Sequence, residues 1–156
     1  LNAFVEWGAD CVPRLNGMFH FAVWDERERT LTLARDHVGI KPLYYTHIPA
    51  REGQPASFLF ASEIKAILST GLVERALDPS SLHQFLTFLW TPDPNTLFKG
   101  INTVPPGHVL TFKQNQIQTS EWWDISFDDI EEGRSEAWWR LDHSRRCPDN
   151  PSCRRF

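Results

Sequence analysis

The chain has 156 residues, 41% hydrophobic and 13% aromatic, a composition that argues against disorder and is sufficient for one buried core. Sixteen Lys and Arg against twenty Asp and Glu leave a net charge of −4, which disfavours a phosphate-binding surface, so no nucleic-acid partner is expected. No apolar run approaches the ~18 residues of a membrane span, no signal-peptide pattern opens the chain, and no membrane partner is expected. Three cysteines, odd in number and scattered, make a poor disulfide framework and point to a reducing, cytoplasmic setting.

Leu1 rather than Met opens the chain, so further residues are expected upstream. Phe4, Val5 and Trp7 read as the end of an amphipathic helix stopped near Gly8. Asn16-Gly17 then punctuates the chain before a strand from Met18 to Trp24, with Phe19, Phe21 and Val23 on one face and Met18, His20, Ala22 and Trp24 on the other. Both faces are largely apolar, which predicts a strand covered on both sides. Asp25 to Arg29 is a charged turn, and Thr30 to Ala34 is its hairpin partner. Residues 35–43 form a loop in which Gly39 permits positive φ and Pro42 blocks a helix.

Leu43 to His47 and Phe58 to Ala61 read as further strands. Ser62 to Leu68 reads as a short helix with Ser62 as its N-cap, and Asp78-Pro79 starts a second helix carrying Leu82, Phe85, Leu86 and Leu89 at helical spacing. Residues 91–107 are rich in proline and loop-like; His108 to Phe112 and Ile117 to Trp123 form a hairpin around Gln114-Asn115-Gln116. After Asp124 the pattern degrades: 126–136 are acidic, and 144–156 hold Arg, Pro and Cys without periodicity.

Taken alone, these residues show no active site. Ser62-x-x-Lys65 matches the serine–lysine motif of penicillin-recognising enzymes, but its partner motifs are absent and a helix cap explains the serine. Asn16-Gly17 could form an oxyanion site, but is better read as a turn before a strand. Cys11 could be a nucleophile, but a lone Cys between Asp10 and Val12 is more often a small buried hydrophobe. Cys147, Cys153 and His143 lack zinc-site spacing, and no glycine-rich phosphate loop appears.

Several segments together resemble one family. Arg14-Leu15-Asn16-Gly17-Met18-Phe19-His20-Phe21-Ala22-Val23-Trp24-Asp25, Leu33-Ala34-Arg35-Asp36-His37-Val38-Gly39-Ile40-Lys41-Pro42-Leu43-Tyr44-Tyr45 and Phe60-Ala61-Ser62-Glu63-Ile64-Lys65-Ala66 are similar to the class II glutamine amidotransferase domain of bacterial asparagine synthetases. Leu97-Phe98-Lys99-Gly100-Ile101, Val104-Pro105-Pro106-Gly107-His108 and Trp122-Trp123-Asp124 resemble the stretch that joins that domain to the synthetase domain. The resemblance implies an α+β fold, part of the four-layer αββα sandwich of N-terminal-nucleophile hydrolases. It assigns residues 1–90 to the C-terminal part of the amidotransferase domain, 91–124 to a linker, and 125–156 to a divergent, poorly ordered tail. From about Arg134 the chain departs from the family, as a shifted reading frame would cause.

The parent reaction implied is amidation of aspartate, driven by ATP with magnesium, using ammonia released from glutamine, in an enzyme that could be a homodimer. The family's N-terminal Cys nucleophile has no counterpart here: Leu1 is not that residue, and Cys11 is internal. The family's glutamine-holding Arg, oxyanion Asn-Gly-Glu and substrate-binding Asp lie upstream of these residues, and its pyrophosphate loop is absent. The resemblance therefore assigns no catalytic, cofactor or metal residue to this chain and predicts that the chain alone is inactive. An amidotransferase with another acceptor, or a non-catalytic scaffold, is the alternative. Arg35, Asp36, Gly39, Lys41, Pro42, Ser62 and Glu63 are the candidate structural or interdomain residues. The Arg35–Tyr45 loop could border an ammonia route or the domain interface, but Arg35 and Asp36 are better read as satisfying buried backbone groups, with Gly39 and Pro42 shaping the turn. A half-domain is also expected to leave Phe19, Phe21 and Val23 exposed and the chain prone to associate.

Overall fold

The computed structural model describes residues 1–125; the sequence expectations for the tail beyond them lie outside the described residues. Asp25 builds the first hairpin, because its Oδ1 accepts the N–H groups of Arg27 at 2.9 Å and Glu28 at 3.0 Å and so closes the turn. β1 (His20–Asp25) and β2 (Thr30–Arg35) pair antiparallel on either side of it. A second hairpin joins β6 (His108–Lys113) to β7 (Gln116–Glu121). Its two-residue turn places Gln114 and Asn115 at φ 50° and 65°, the left-handed pair that suits the twist of the strands. β6 also pairs with β2, giving a four-stranded sheet in the order β1-β2-β6-β7. β3 (Tyr44–Ile48), β4 (Ser57–Ala61) and the short β5 (Asn102–Thr103) form a second sheet in the order β4-β3-β5.

Alternation along β2 decides what each face touches. Leu31 and Leu33, with Leu110 of β6, join Leu43 and Val104 in a core that Tyr45 of β3 and Phe58 of β4 also enter, so both sheets contribute to it. Phe58 stacks on Phe112 of β6 with ring centres 4.4 Å apart. Leu33 and Leu110 are wholly inaccessible, and burial of side chains this size is worth about 1.5–3 kcal/mol each. Ala34 and Val109 face the other way and meet Cys11 and Val12, with Phe4, Phe19, Phe21 and Trp122 packed around them. A third cluster sets Ile67 and Leu68 of α2 (Ile64–Ser69) against Tyr44, Leu59 and Ala61 of the second sheet.

Several expectations are corrected. α1 (Asn2–Trp7) ends at Gly8 as expected, but the chain continues in a 3-10 helix over Gly8–Arg14, where the Arg14 guanidinium lies 4.5 Å from the Trp7 ring centre. β1 is an edge strand rather than a strand covered on both sides: Ala22 and Trp24 are exposed. Its other face is half-buried, because Phe19 and Phe21 pack beside Phe4 and Trp122, so those side chains are not the exposed surface that a half-domain predicts. Glu63, not Ser62, holds the N-cap position of α2, and neither side chain caps it. α3 (Pro79–Phe88) starts as its sequence predicts, with Asp78 Oδ1 accepting Ser81 N–H at 2.8 Å. The segment 91–124, expected as a linker, supplies three strands, two of them in the sheet that begins with β1. A single compact unit covers Leu1–Asp124.

Candidate functional site

The loop between β2 and β3 opens with two buried charges. Arg35 ends β2 with its side chain on the Leu33 face, and only 9% of its surface is accessible. Its Nε donates to Lys41 O at 3.0 Å and its Nη2 to Gly39 O at 2.7 Å, which closes the loop on itself. Its Nη1 donates to Val104 O at 2.7 Å and to Thr103 Oγ1 at 2.9 Å, which ties the same loop to β5 of the second sheet. Thr103 Oγ1 in turn donates to Leu43 O at 3.2 Å. A guanidinium has five N–H donors in a rigid fork, and four of these contacts are to neutral protein oxygens. The fork is therefore committed to the fold and offers no bidentate grip for a substrate carboxylate.

Asp36 is the complement of Arg35, satisfying N–H groups as Arg35 satisfies carbonyls. It is 1% exposed, with Oδ1 accepting Ile40 N–H at 2.9 Å and Oδ2 accepting Lys41 N–H at 3.0 Å. Burial by itself raises the carboxyl's pKa, but the N–H groups of Lys41 and Ile40, with lesser help from Phe19 and Val38, outweigh it and hold the group below its ordinary value. The Asp36 carbonyl accepts Gly39 N–H at 3.2 Å and Gly107 N–H at 2.9 Å, and so anchors the 104–108 segment as well. Gly39 sits at φ 67°, and a Cβ there would lie 2.8 Å from the Arg35 guanidinium carbon and 2.9 Å from Pro106 Cγ. Glycine is required on both counts.

The other candidates are placed differently. Lys41 contributes its backbone N–H and C=O to the cluster while its side chain, like Pro42, is exposed. Ser62 and Glu63 do not join it; both are exposed at the lead into α2, where Glu63 pairs with Lys65 at 2.6 Å. The hydrogen bond from Lys65 to Glu63 raises the lysine's pKa, the reverse of what a serine–lysine base requires. Asn16 and Gly17 are exposed, with Gly17 at φ 125°, in a turn before β1. Cys11 is 2% exposed, packed in the apolar cluster of Val12, Ala34 and Val109. Among the described residues no group of three His, Cys, Asp or Glu could hold a metal ion.

Sequence reasoning missed the partners that close the cluster: Thr103, Val104 and Gly107 lie about seventy residues from Arg35 and Asp36. Gly107 has its own constraint, since a Cβ there would overlap the Trp123 carbonyl, and Gly107 O accepts the N–H groups of Trp122 and Trp123 at 2.8 and 3.2 Å. The ring of His37 meets Trp122 and Trp123 edge-on at 4.5 and 5.0 Å. A separate polar cleft of about 260 Å³ lies beside the start of α3, with Ser81 and Gln84 on one wall and Asn95, Lys99 and Asn102 on the other.

Residues 1–123 match the family described as glutamine amidotransferase domain. The chain is 41% identical over 137 residues to asparagine synthetase [glutamine-hydrolyzing] 3 of Bacillus subtilis, covering 83% of this chain and 21% of that protein. It is 33% identical to asparagine synthetase [glutamine-hydrolyzing] 1 of the same bacterium, over 72% of this chain and 17% of that one. Amidase chyE of Penicillium rubens is also 33% identical, over 81% of this chain and 17% of its own length. The chain thus spans about a fifth of the curated relatives it matches.

Proposed function

This chain belongs to the glutamine amidotransferase domain family, and from that membership we propose that it forms core strands of the glutamine-hydrolysing part of a cytoplasmic asparagine synthetase. The parent reaction is ATP-dependent amidation of aspartate with ammonia taken from glutamine. In this reading Arg35 and Asp36 are positioning residues. They lock the β2–β3 loop to β5 and to the 104–108 segment, and so help to hold the two sheets in place. The observation that carries the proposal is the 41% identity over most of the chain to a glutamine-hydrolysing asparagine synthetase.

Three apolar clusters support the αββα arrangement of N-terminal-nucleophile hydrolases: one between the sheets, one under α1 and the 3-10 helix, and one under α2. In this reading ATP and magnesium belong to the synthetase portion of the parent enzyme. Cys11 is not the nucleophile in this reading, because it is internal and buried, with neither the free amine nor the access of an N-terminal cysteine.

The test is a chimera in which this chain's matching residues replace their counterparts in the Bacillus subtilis relative. Glutamine-dependent asparagine synthesis by the soluble chimera is the expected result. A folded chimera that uses ammonia but not glutamine contradicts the proposal. A second reading, delivery of ammonia to another acceptor, is favoured by amidases of Penicillium rubens and Gibberella zeae at 33% and 34% identity. An acceptor screen with the chimera's parent domains exchanged separates the two.

A further inference from the structure

Asn16-Gly17 takes no part in the clamp around Arg35, and its surroundings leave it free to react. The 3-10 helix closes with Leu15 N–H donating to Val12 O at 3.0 Å, and the chain is fixed again where Phe19 O accepts Asp36 N–H at 2.9 Å. Between these two anchors Asn16, Gly17 and Met18 are exposed and belong to no helix or strand. Gly17 sits at φ 125°, which only glycine takes without strain, with open space where a Cβ would stand. Among the described residues neither the Gly17 N–H nor the Asn16 side-chain amide has a hydrogen-bond partner.

That combination suits an intramolecular reaction. The backbone nitrogen that follows an asparagine can attack the side-chain carbonyl carbon and close a succinimide ring, with the advantage that proximity gives any intramolecular attack. A side chain on the following residue crowds the approach, and a hydrogen bond to either group holds it back; both obstacles are missing here. The reacting atoms lie in adjacent residues, so the site needs no partner. The other asparagines among the described residues are placed differently: Asn2, Asn95, Asn102 and Asn115 precede Ala3, Thr96, Thr103 and Gln116. Asn2 lies in α1, and Asn102 lies in β5, where Thr103 N–H is committed to Pro94 O at 2.8 Å. Asn115 is the nearest rival, exposed in the β6–β7 turn, but its Oδ1 is 2.8 Å from His47 Nε2 and the long side chain of Gln116 follows it.

We propose that Asn16-Gly17 is a site of spontaneous covalent modification, at which the Gly17 nitrogen closes on Asn16 Cγ. The bond from Gly17 N to Cγ forms and the Cγ–Nδ2 bond breaks. The proton that Gly17 loses is taken by solvent base, and Nδ2 leaves with a proton as ammonia. Water then opens the succinimide. Attack at the side-chain carbonyl leaves aspartate; attack at the backbone carbonyl leaves isoaspartate, whose main chain runs through the former side chain and is longer by a methylene. Either product puts a new negative charge two residues after Arg14, and isoaspartate also lengthens the lead into β1. Because base generates the nucleophile, the reaction quickens as the pH rises. This site is independent of the glutaminase reading, and its test leaves that reading untouched.

The experiment is prolonged incubation of the purified chain at neutral and at mildly alkaline pH, followed by peptide mapping in the mass spectrometer and enzymatic labelling of isoaspartyl groups. Residue 16 is expected to convert before any other asparagine, to a mixture of isoaspartate and aspartate, and faster at the higher pH. An exposed turn opens at almost no free-energy cost, so conversion in the folded chain is expected within about ten-fold of that in the guanidinium-unfolded chain. Asn16→Gln, which would need a larger ring, carries no isoaspartyl label at that position. Conversion of Asn115 ahead of Asn16 overturns the proposal, and so does slower conversion in the folded chain than that margin allows. Aspartate at residue 16 without isoaspartate overturns it too, because direct hydrolysis of the side chain gives aspartate alone.

Discussion

Replacing Arg35 by lysine keeps the charge and removes the fork. The guanidinium makes four hydrogen bonds, to Lys41 O, Gly39 O, Val104 O and Thr103 Oγ1. They diverge toward both the loop and β5, so a single ammonium reaches at most two of these acceptors at once. Hydrogen bonds to a charged group are worth about 1.5–3 kcal/mol, and losing two therefore costs about 3–6 kcal/mol. Part of that is recovered where water reaches Gly39 O and Lys41 O, so about 3 kcal/mol is the expected net loss. For a unit of this size each kcal/mol moves the midpoint by about 3–5 °C, which puts Arg35→Lys about 10–15 °C below the parent chain. Arg35→Ala strands all four acceptors and loses an amount comparable to the whole ~5–15 kcal/mol of a domain, so it should not fold. The assay is far-UV circular dichroism melting, with tryptophan fluorescence as a second probe. Thr103→Val in the Arg35→Lys background should cost less than it does alone, because the two side chains share a bond. An Arg35→Lys chain melting within about 3 °C of the parent would refute the clamp, since no two charged hydrogen bonds could then have been lost.

Gly39→Ala should destabilise by about 2–4 kcal/mol in urea titration, because it adds a contact under 3 Å with Arg35 and a strained left-handed residue. Asp36 sets an acid limb. Its carboxyl pKa is depressed in the folded chain, so its contribution is present above the unfolded value near 4 and is lost as the pH falls through the folded value. Stability measured between about pH 6 and pH 3 should therefore fall less steeply in Asp36→Asn, which starts lower by about 1.5–3 kcal/mol, than in the parent. Parallel curves for the two chains would contradict that assignment.

Local signals carried most of the strand assignments. The alternation in Thr30 to Ala34, the charged turn at Asp25 and the Gln114-Asn115 turn each depend on neighbours in sequence, and each element lies where its residues predict. The errors came where distant residues decide. β1 reads as apolar on both faces, yet its neighbours in space leave Trp24 exposed, and nothing within the strand encodes its place at a sheet edge. The stripe on α3 has the periodicity of a core helix and remains uncovered, because periodicity reports a face and not its partner. The candidate loop was legible through Gly39 and its paired charges. The acceptors on Val104 and Thr103 were not, since a backbone carbonyl leaves no trace in the residue type. The prolines at 92, 94, 105 and 106 make 91–107 read as a loop, and the resemblance extends a linker to 124, whereas β6 within it is a partner of β2.

We propose that these residues are scaffold of a glutamine amidotransferase domain and that the buried Cys11 is structural, not its nucleophile. Incubation of the purified chain with glutamine, with glutamate release followed against a protein-free blank, tests it directly. Loss of a nucleophile removes several powers of ten in rate, so release at the level of the blank is expected, unchanged by Cys11→Ser. Glutamate release above the blank that a thiol reagent abolishes would contradict the claim and place a working cysteine in this chain.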